Sequence, residues 1–149
     1  MLDALARLIE DLERSGVAWC SWKSNAHLDA ALAGETDVDM LVARADASLF
    51  REVLARNDVK PLRHPPGGAH PGMEHYLGFD ARTGRLFHLH AHYELVLGQK
   101  HVKNYRLPIE HALLRSRESS GAVPVPAPEV DARRARPPAS CSSTGCATW

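Results

Sequence analysis

Cysteine is scarce, with three residues in 149, and an odd number excludes a framework of paired disulfides. Cys20, between Trp19 and Ser21 in an apolar run, reads as a small buried hydrophobe. Cys141 and Cys146 flank Ser-Ser-Thr-Gly near the end, and no second cysteine or histidine pair nearby completes a structural zinc site. Net charge is absent too: 18 basic residues balance 18 acidic ones, which gives no electrostatic case for a general nucleic-acid or membrane binder. No apolar run approaches the roughly 20 residues needed to span a bilayer. The opening MLDALARLIEDLERSG carries acids throughout and lacks the basic region and apolar block of a signal peptide, so a cytoplasmic location is expected. With 44% hydrophobic and 24% charged residues, the chain reads as one soluble globular domain.

The patterning supplies the elements. Leu2, Leu5, Leu8, Ile9 and Leu12 recur at helical spacing, and Gly16 follows as a stop. Val17–Trp22 (VAWCSW) reads as a buried strand. Asn25 is placed to cap a short helix over residues 26–33, which Gly34 ends. Val38–Val42 is the second strand, and Asp46 is placed to cap a helix through Leu49, Phe50, Val53 and Leu54, closed by Asn57-Asp58. Val59–Leu62 is a short strand candidate. It precedes RHPPGGAHPG, where four prolines and three glycines between Pro61 and Gly72 exclude regular structure. Met73–Phe79 and Arg85–His90 flank Asp80-Ala81-Arg82-Thr83-Gly84 and form an expected antiparallel hairpin. IEHALLR, after Pro108, is again helical. The order α-β-α-β-α-β-β-β-α predicts an α+β (α/β sandwich) fold, a mixed sheet with flanking helices.

Beyond Ser119 the character changes. VPVPAPEV alternates prolines with apolar residues and is neither a central strand nor a helix. DARRARPPASCSSTGCATW has almost no large apolar residue before Trp149. Residues 131–149 are expected to be a disordered tail, or the product of a truncation or shifted reading frame, and residues 1–130 the domain.

An oddity lies at the second strand. Asp37 and Asp39 bring two like charges to the mouth of a segment, VDMLV, that is otherwise apolar. Residues two apart on a strand share a face, so the two carboxylates project together while Val38 and Met40 point the other way. Such a pair repels, and one member is expected to hold its proton unless a cation sits between them. A divalent metal removes that penalty, and hard oxygen ligands suit magnesium. Asp-x-Asp is a short motif, and strand-edge aspartates can also simply face water.

The strand VAWCSW, the turn Lys23-Ser24-Asn25, a short helix and then Asp37-Val38-Asp39 together resemble the minimal core of the DNA polymerase β-like nucleotidyltransferase superfamily. Its signature is a Gly-Ser or Gly-Gly turn ending a strand, followed after a short helix by Asp-x-Asp or Asp-x-Glu opening the next. Twelve residues separate Ser24 from Asp37, within the spacing of that signature. The stretch Trp22–Val42, with HLHAHYELVLGQK and NYRLPIE, further resembles a bacterial group of uncharacterised nucleotidyltransferase-like proteins, some joined to a kinase-like domain. The resemblance implies a nucleotidyltransferase core and transfer of a nucleoside monophosphate from a nucleoside triphosphate to an acceptor it does not identify. It places nucleotide phosphates at Lys23, Ser24 and Asn25, and Mg2+ or Mn2+ at Asp37 and Asp39. Such transfer rests on positioning and charge neutralisation, and two metals can stabilise both attacking and leaving oxygens.

The chain also departs from that pattern. Lys23 stands where the family has glycine, which changes how closely the backbone meets a phosphate but supplies a point charge. The family's third acid on a later strand is not evident. RLFHLHAHYEL offers His88 and His90 on one face instead, with His90 the expected catalytic and metal-binding substitute. Imidazole suits zinc- or manganese-like metals better than magnesium. Glu94 is a further substitute acid, with Glu74 and Asp80 behind it, and a polar strand face is the other reading of the histidines. Lys100, Lys103, Asn104, Tyr105 and Arg106 form a basic cluster that reads either as a triphosphate or acceptor contact, with Lys103 its chief candidate, or as a solvated face. Two other readings stay open: a nucleotide-binding regulatory module without catalysis, and a phosphoesterase using His88, His90 and His92 with the aspartates.

Overall fold

The computed structural model describes residues 1–23, 27–63, 70, 72–99, 102–121 and 123–127, and not the side chains of 97–99, 102–104, 119 and 120. Ser24, Asn25, most of the Pro/Gly loop, Lys100, the side chains of Lys103 and Asn104, both late cysteines and the expected tail therefore lie outside the described residues.

Helix α1 (Asp3–Ser15) follows the leucine period and turns its buried face, Leu5, Leu8, Ile9 and Leu12, inward. It stops at Gly16, whose φ of 75° is a left-handed conformation that glycine adopts without penalty. Strand β1 (Trp19–Ser21) is fully buried, α2 spans Leu28–Leu32, β2 spans Val38–Val42 and α3 spans Ala47–Arg56. Asp46 precedes α3 as expected but does not cap it. Its carboxylate instead accepts the Ala18 backbone N–H at 2.9 Å, tying the start of α3 to the approach to β1.

Strands β3 (Lys60–Leu62), β4 (Met73–Asp80) and β5 (Arg85–His92) complete a five-stranded sheet in the order β1-β2-β5-β4-β3. β1 runs antiparallel to β2, β2 parallel to β5, and β4 antiparallel to both β5 and β3. The sheet is therefore mixed, and the chain is an α+β protein. The β4–β5 hairpin is the one its turn residues predict. Asp80 accepts from Thr83 N–H at 3.0 Å and Thr83 Oγ1 at 2.7 Å, and also from the Ala4 N–H at 2.9 Å, which fastens the turn to α1.

Alternation sorts the sheet into two faces. Val38, Met40, Val42, Tyr76, Phe87, Leu89, Ala91 and Tyr93 share the main core with α1 and α3. On the opposite face a smaller cluster of Cys20, Trp22, Leu41, Leu95 and Leu113 is covered by Leu107, Ile109 and Leu114, the work of α4 (Glu110–Arg115) and its approach. Cys20 is buried and is not in a disulfide.

The element order holds through β5, and two ribbons absent from the sequence reading follow. β6 (Val96–Gln99) pairs with β7 (Val102–Arg106), and β8 (Arg117–Ser120) with β9 (Val123–Pro126). Pro124 and Pro126 are tolerated because, among the described residues, β9 has one ladder partner, and Val123 reaches the main core. Among the described residues no helix is long and apolar enough to cross a membrane.

Gly78 exists for Phe87. A Cβ at Gly78 would lie 2.1 Å from Phe87 Cζ, because the ring lies across the strand where a side chain would stand. Gly78→Ala is expected to cost about 1–3 kcal/mol through overpacking, measurable by urea unfolding. Because the clash requires the ring, the cost should largely vanish in a Phe87→Ala background, so a double-mutant cycle tests the cause as well as the size.

Candidate functional site

The parallel register of β2 on β5 sets Asp39 opposite His90, and the antiparallel register of β4 sets His75 opposite the same His90. Paired residues share a face. The face turned away from the main core therefore gathers Asp37 and Asp39, then His88, His90 and His92, then His75. The imidazole Nδ1 of His88 lies 3.0 Å from Asp37 Oδ1. Asp39 Oδ1 takes His90 Nδ1 at 3.2 Å and His92 Nε2 at 3.1 Å. His75 Nδ1 and His88 Nε2 are 3.2 Å apart. His90 Nε2 is buried without a hydrogen-bond partner among the described residues, and Asp37 Oδ2 is 3.9 Å from it.

The end of β1 closes the same end of the sheet. Trp22 N–H donates to the Asp39 carbonyl at 2.9 Å, and Lys23 brings its ammonium to 4.0 Å from Asp39 Oδ1. Lys23 has φ of 69°, a left-handed backbone that costs a lysine and suits a glycine.

The electrostatics correct the like-charge expectation. Burial raises the Asp39 pKa, but hydrogen bonds from His90 and His92, with the Lys23 charge, outweigh it and hold the carboxyl well below the usual range. Asp39 is thus ionised because imidazoles and an ammonium surround it, with no metal required for that. Burial pushes the His92 imidazole down, against the opposing pull of Asp39, so His92 is neutral and donates through Nε2–H.

None of the three substitute acids joins the cluster. Glu94 follows β5 at the far end from Asp37 and takes Arg44 at 3.1 Å. Glu74 lies on the core-facing side, accepting from Arg51, Tyr76 and Tyr93. Asp80 is spent on its turn. Of the basic cluster, Tyr105 is exposed and Arg106 lies 3.9 Å from Glu110.

His75 escaped the sequence reading. Its signal was present: a hairpin closed by Asp80 opposite Arg85 carries His75 to His90 by counting back along both strands. Among the described residues, two sets of side chains have ligand atoms close enough to hold a metal ion, His75 with His88 and His90, and Asp39 with His90 and His92. A cleft of about 180 Å3 lined by Thr36, Asp37, Leu77 and His88 opens beside them. A larger cavity of about 450 Å3, lined by Ala55, Val59, Leu62 and Tyr76, is mostly apolar. Its charged residues, Arg51 and Glu74, pair with each other, and His75 is the one member of the Asp/His cluster that lines it, so the Asp/His face is the candidate site. No protein-family model, curated protein or solved structure matches this chain.

Proposed function

We propose that this chain is a divalent-metal-dependent nucleotide-binding domain of the nucleotidyltransferase type, passing a nucleoside monophosphate from a nucleoside triphosphate to an acceptor. One observation carries the reading. The Asp37/Asp39 pair, the β5 histidines and Lys23, just after β1, come together on the sheet, with Lys23 in a glycine-like conformation where the related signature has glycine. The oxygens of Asp37 and Asp39 fit Mg2+ or Mn2+. Bound there, the ion would neutralise triphosphate charge. Lys23 offers a phosphate contact, Ser24 and Asn25 follow it in the chain, and His90 takes the place of the third acid. A cytoplasmic location fits a domain that uses nucleoside triphosphates.

A second reading, nucleotide binding without turnover, is favoured by the missing third carboxylate among the described residues. Calorimetric titration with nucleoside triphosphates in Mg2+ or Mn2+, beside an assay for released pyrophosphate, separates the two. The transferase reading expects metal-dependent binding with pyrophosphate release, and at least a tenfold loss of affinity in Asp37→Asn. Binding without release supports the regulatory module. No metal-dependent binding of any nucleoside triphosphate removes both.

A further inference from the structure

We propose that His75, His88 and His90 form a binding site for a zinc-class transition metal, with Asp37 and Asp39 as its outer carboxylates rather than its ligands. The site shares His90 with the nucleotide reading but takes no aspartate as a ligand, so the two are tested separately below.

Three observations converge. First, one ring nitrogen from each histidine lies within 4.8 Å of the others, and His75 Nδ1 and His88 Nε2 are 3.2 Å apart. Tetrahedral zinc binds imidazole nitrogens at about 2.0–2.1 Å, which separates any two of them by roughly 3.3–3.4 Å. Two of the three ligands thus already stand close to the spacing such an ion imposes.

Second, the outer nitrogens are held. His88 Nδ1 meets Asp37 Oδ1 at 3.0 Å and His90 Nδ1 meets Asp39 Oδ1 at 3.2 Å. A metal-bound imidazole commonly donates its other N–H to a carboxylate, which fixes the tautomer and leaves a lone pair for the ion. Both aspartates therefore direct Nε2 lone pairs inward. Third, His90 Nε2, the nitrogen this tautomer makes an acceptor, is buried and has no hydrogen-bond partner among the described residues. A metal ion satisfies it.

The ligands come from two strands of one hairpin, so their spacing is set by a backbone ladder rather than by a loop. Three protein nitrogens leave one tetrahedral position open, which suits water or an anionic oxygen such as that of phosphate. Magnesium, which prefers oxygen ligands, is a poor occupant.

The test uses the full chain, freed of any histidine tag and stripped of metal, titrated with Co2+ and read by visible absorption in the absence of nucleotide. The expected result is the intense absorption of four-coordinate cobalt, displaced by Zn2+ and unaffected by excess Mg2+. His75→Asn and His88→Asn should each weaken Co2+ binding by at least 100-fold, and Asp37→Asn by about 10–100-fold. Far-UV circular dichroism checks that each variant folds. Should His75→Asn not fold, X-ray absorption of the zinc-loaded wild type decides, with three imidazole nitrogens expected in the shell. The proposal is overturned by weak six-coordinate cobalt absorption, by displacement with Mg2+, by binding that His75→Asn leaves unchanged, or by an oxygen-dominated zinc shell. A chain that binds nucleoside triphosphate but shows no cobalt signal sinks this site and spares the nucleotide reading, and the reverse result does the opposite.

Discussion

Asp39→Ala is expected to lower the unfolding free energy of the metal-free protein by about 3 kcal/mol at pH 7. The carboxylate is only 10% exposed and receives both His90 and His92, so its removal strands two largely buried ring N–H groups. Two like-charged aspartates read in isolation suggest the reverse, relief of repulsion. The imidazoles decide the sign. The same arrangement shapes the pH profile. A carboxyl whose pKa is lower in the folded chain adds stability that is complete above the unfolded value, about 3.9, and is lost as pH falls through the folded one. For Asp39 that loss lies below about pH 4. His92 has its pKa lowered by burial, so its contribution is complete above about pH 6.5 and declines as pH falls below it. Urea unfolding of metal-free protein from pH 7 to pH 3 should show both declines in the wild type, with the one below pH 4 reduced in Asp39→Ala. A variant as stable as wild type at pH 7 would remove this account of the cluster.

Phe50→Ala should cost about 3–5 kcal/mol, a fall in melting temperature on the order of 10 °C for a chain of this size. Phe50 is fully buried, and its ring meets Tyr76 and Tyr93 edge-on at centroid distances of 6.2 and 6.5 Å. Both tyrosine hydroxyls donate to Glu74, which Arg51 of the same helix also holds. Burial, then Glu74, pushes the Tyr76 phenol up to about 12, so it stays protonated as a donor. Removing Phe50 therefore opens a void beneath the tyrosines and loosens α3 on the sheet. Phe50→Leu, which keeps most of the volume, should cost less than about 1.5 kcal/mol. Equal losses in the two variants would argue against the aromatic packing as the cause.

The elements up to β5 were legible because each carried its own local signal: the leucine period of α1 with Gly16 behind it, the apolar runs of β1 and β2, and the Thr83-Gly84 turn. The ribbons were not. VPVPAP suggests no strand until a partner is known, and VLGQ and VKNYR owe their pairing to each other rather than to a buried face. At the site, Asp37, Asp39, His88 and His90 were visible through period-two spacing, which needs no tertiary knowledge. Their electrostatics were invisible, because the charge state of Asp39 depends on strands about 50 residues away in sequence. His75 needed the hairpin register, and the fate of Glu94 depended on Arg44, which no local pattern links to it.

The four turn residues Ala81–Gly84 carry more than a change of chain direction. Opposed residues on paired strands must face the same way, so a slip of one residue at the turn would force β4 or β5 to present its apolar side to water, and the fold would resist it. A slip of two residues keeps every side chain on its proper face, yet slides β4 along β5 by about 6.8 Å. The core would survive such a slip, while His75 would leave His90 behind. The turn's register is thus a ruler whose even errors the fold forgives and the histidine cluster does not, and chains descended with such slips would keep the architecture and scatter the cluster.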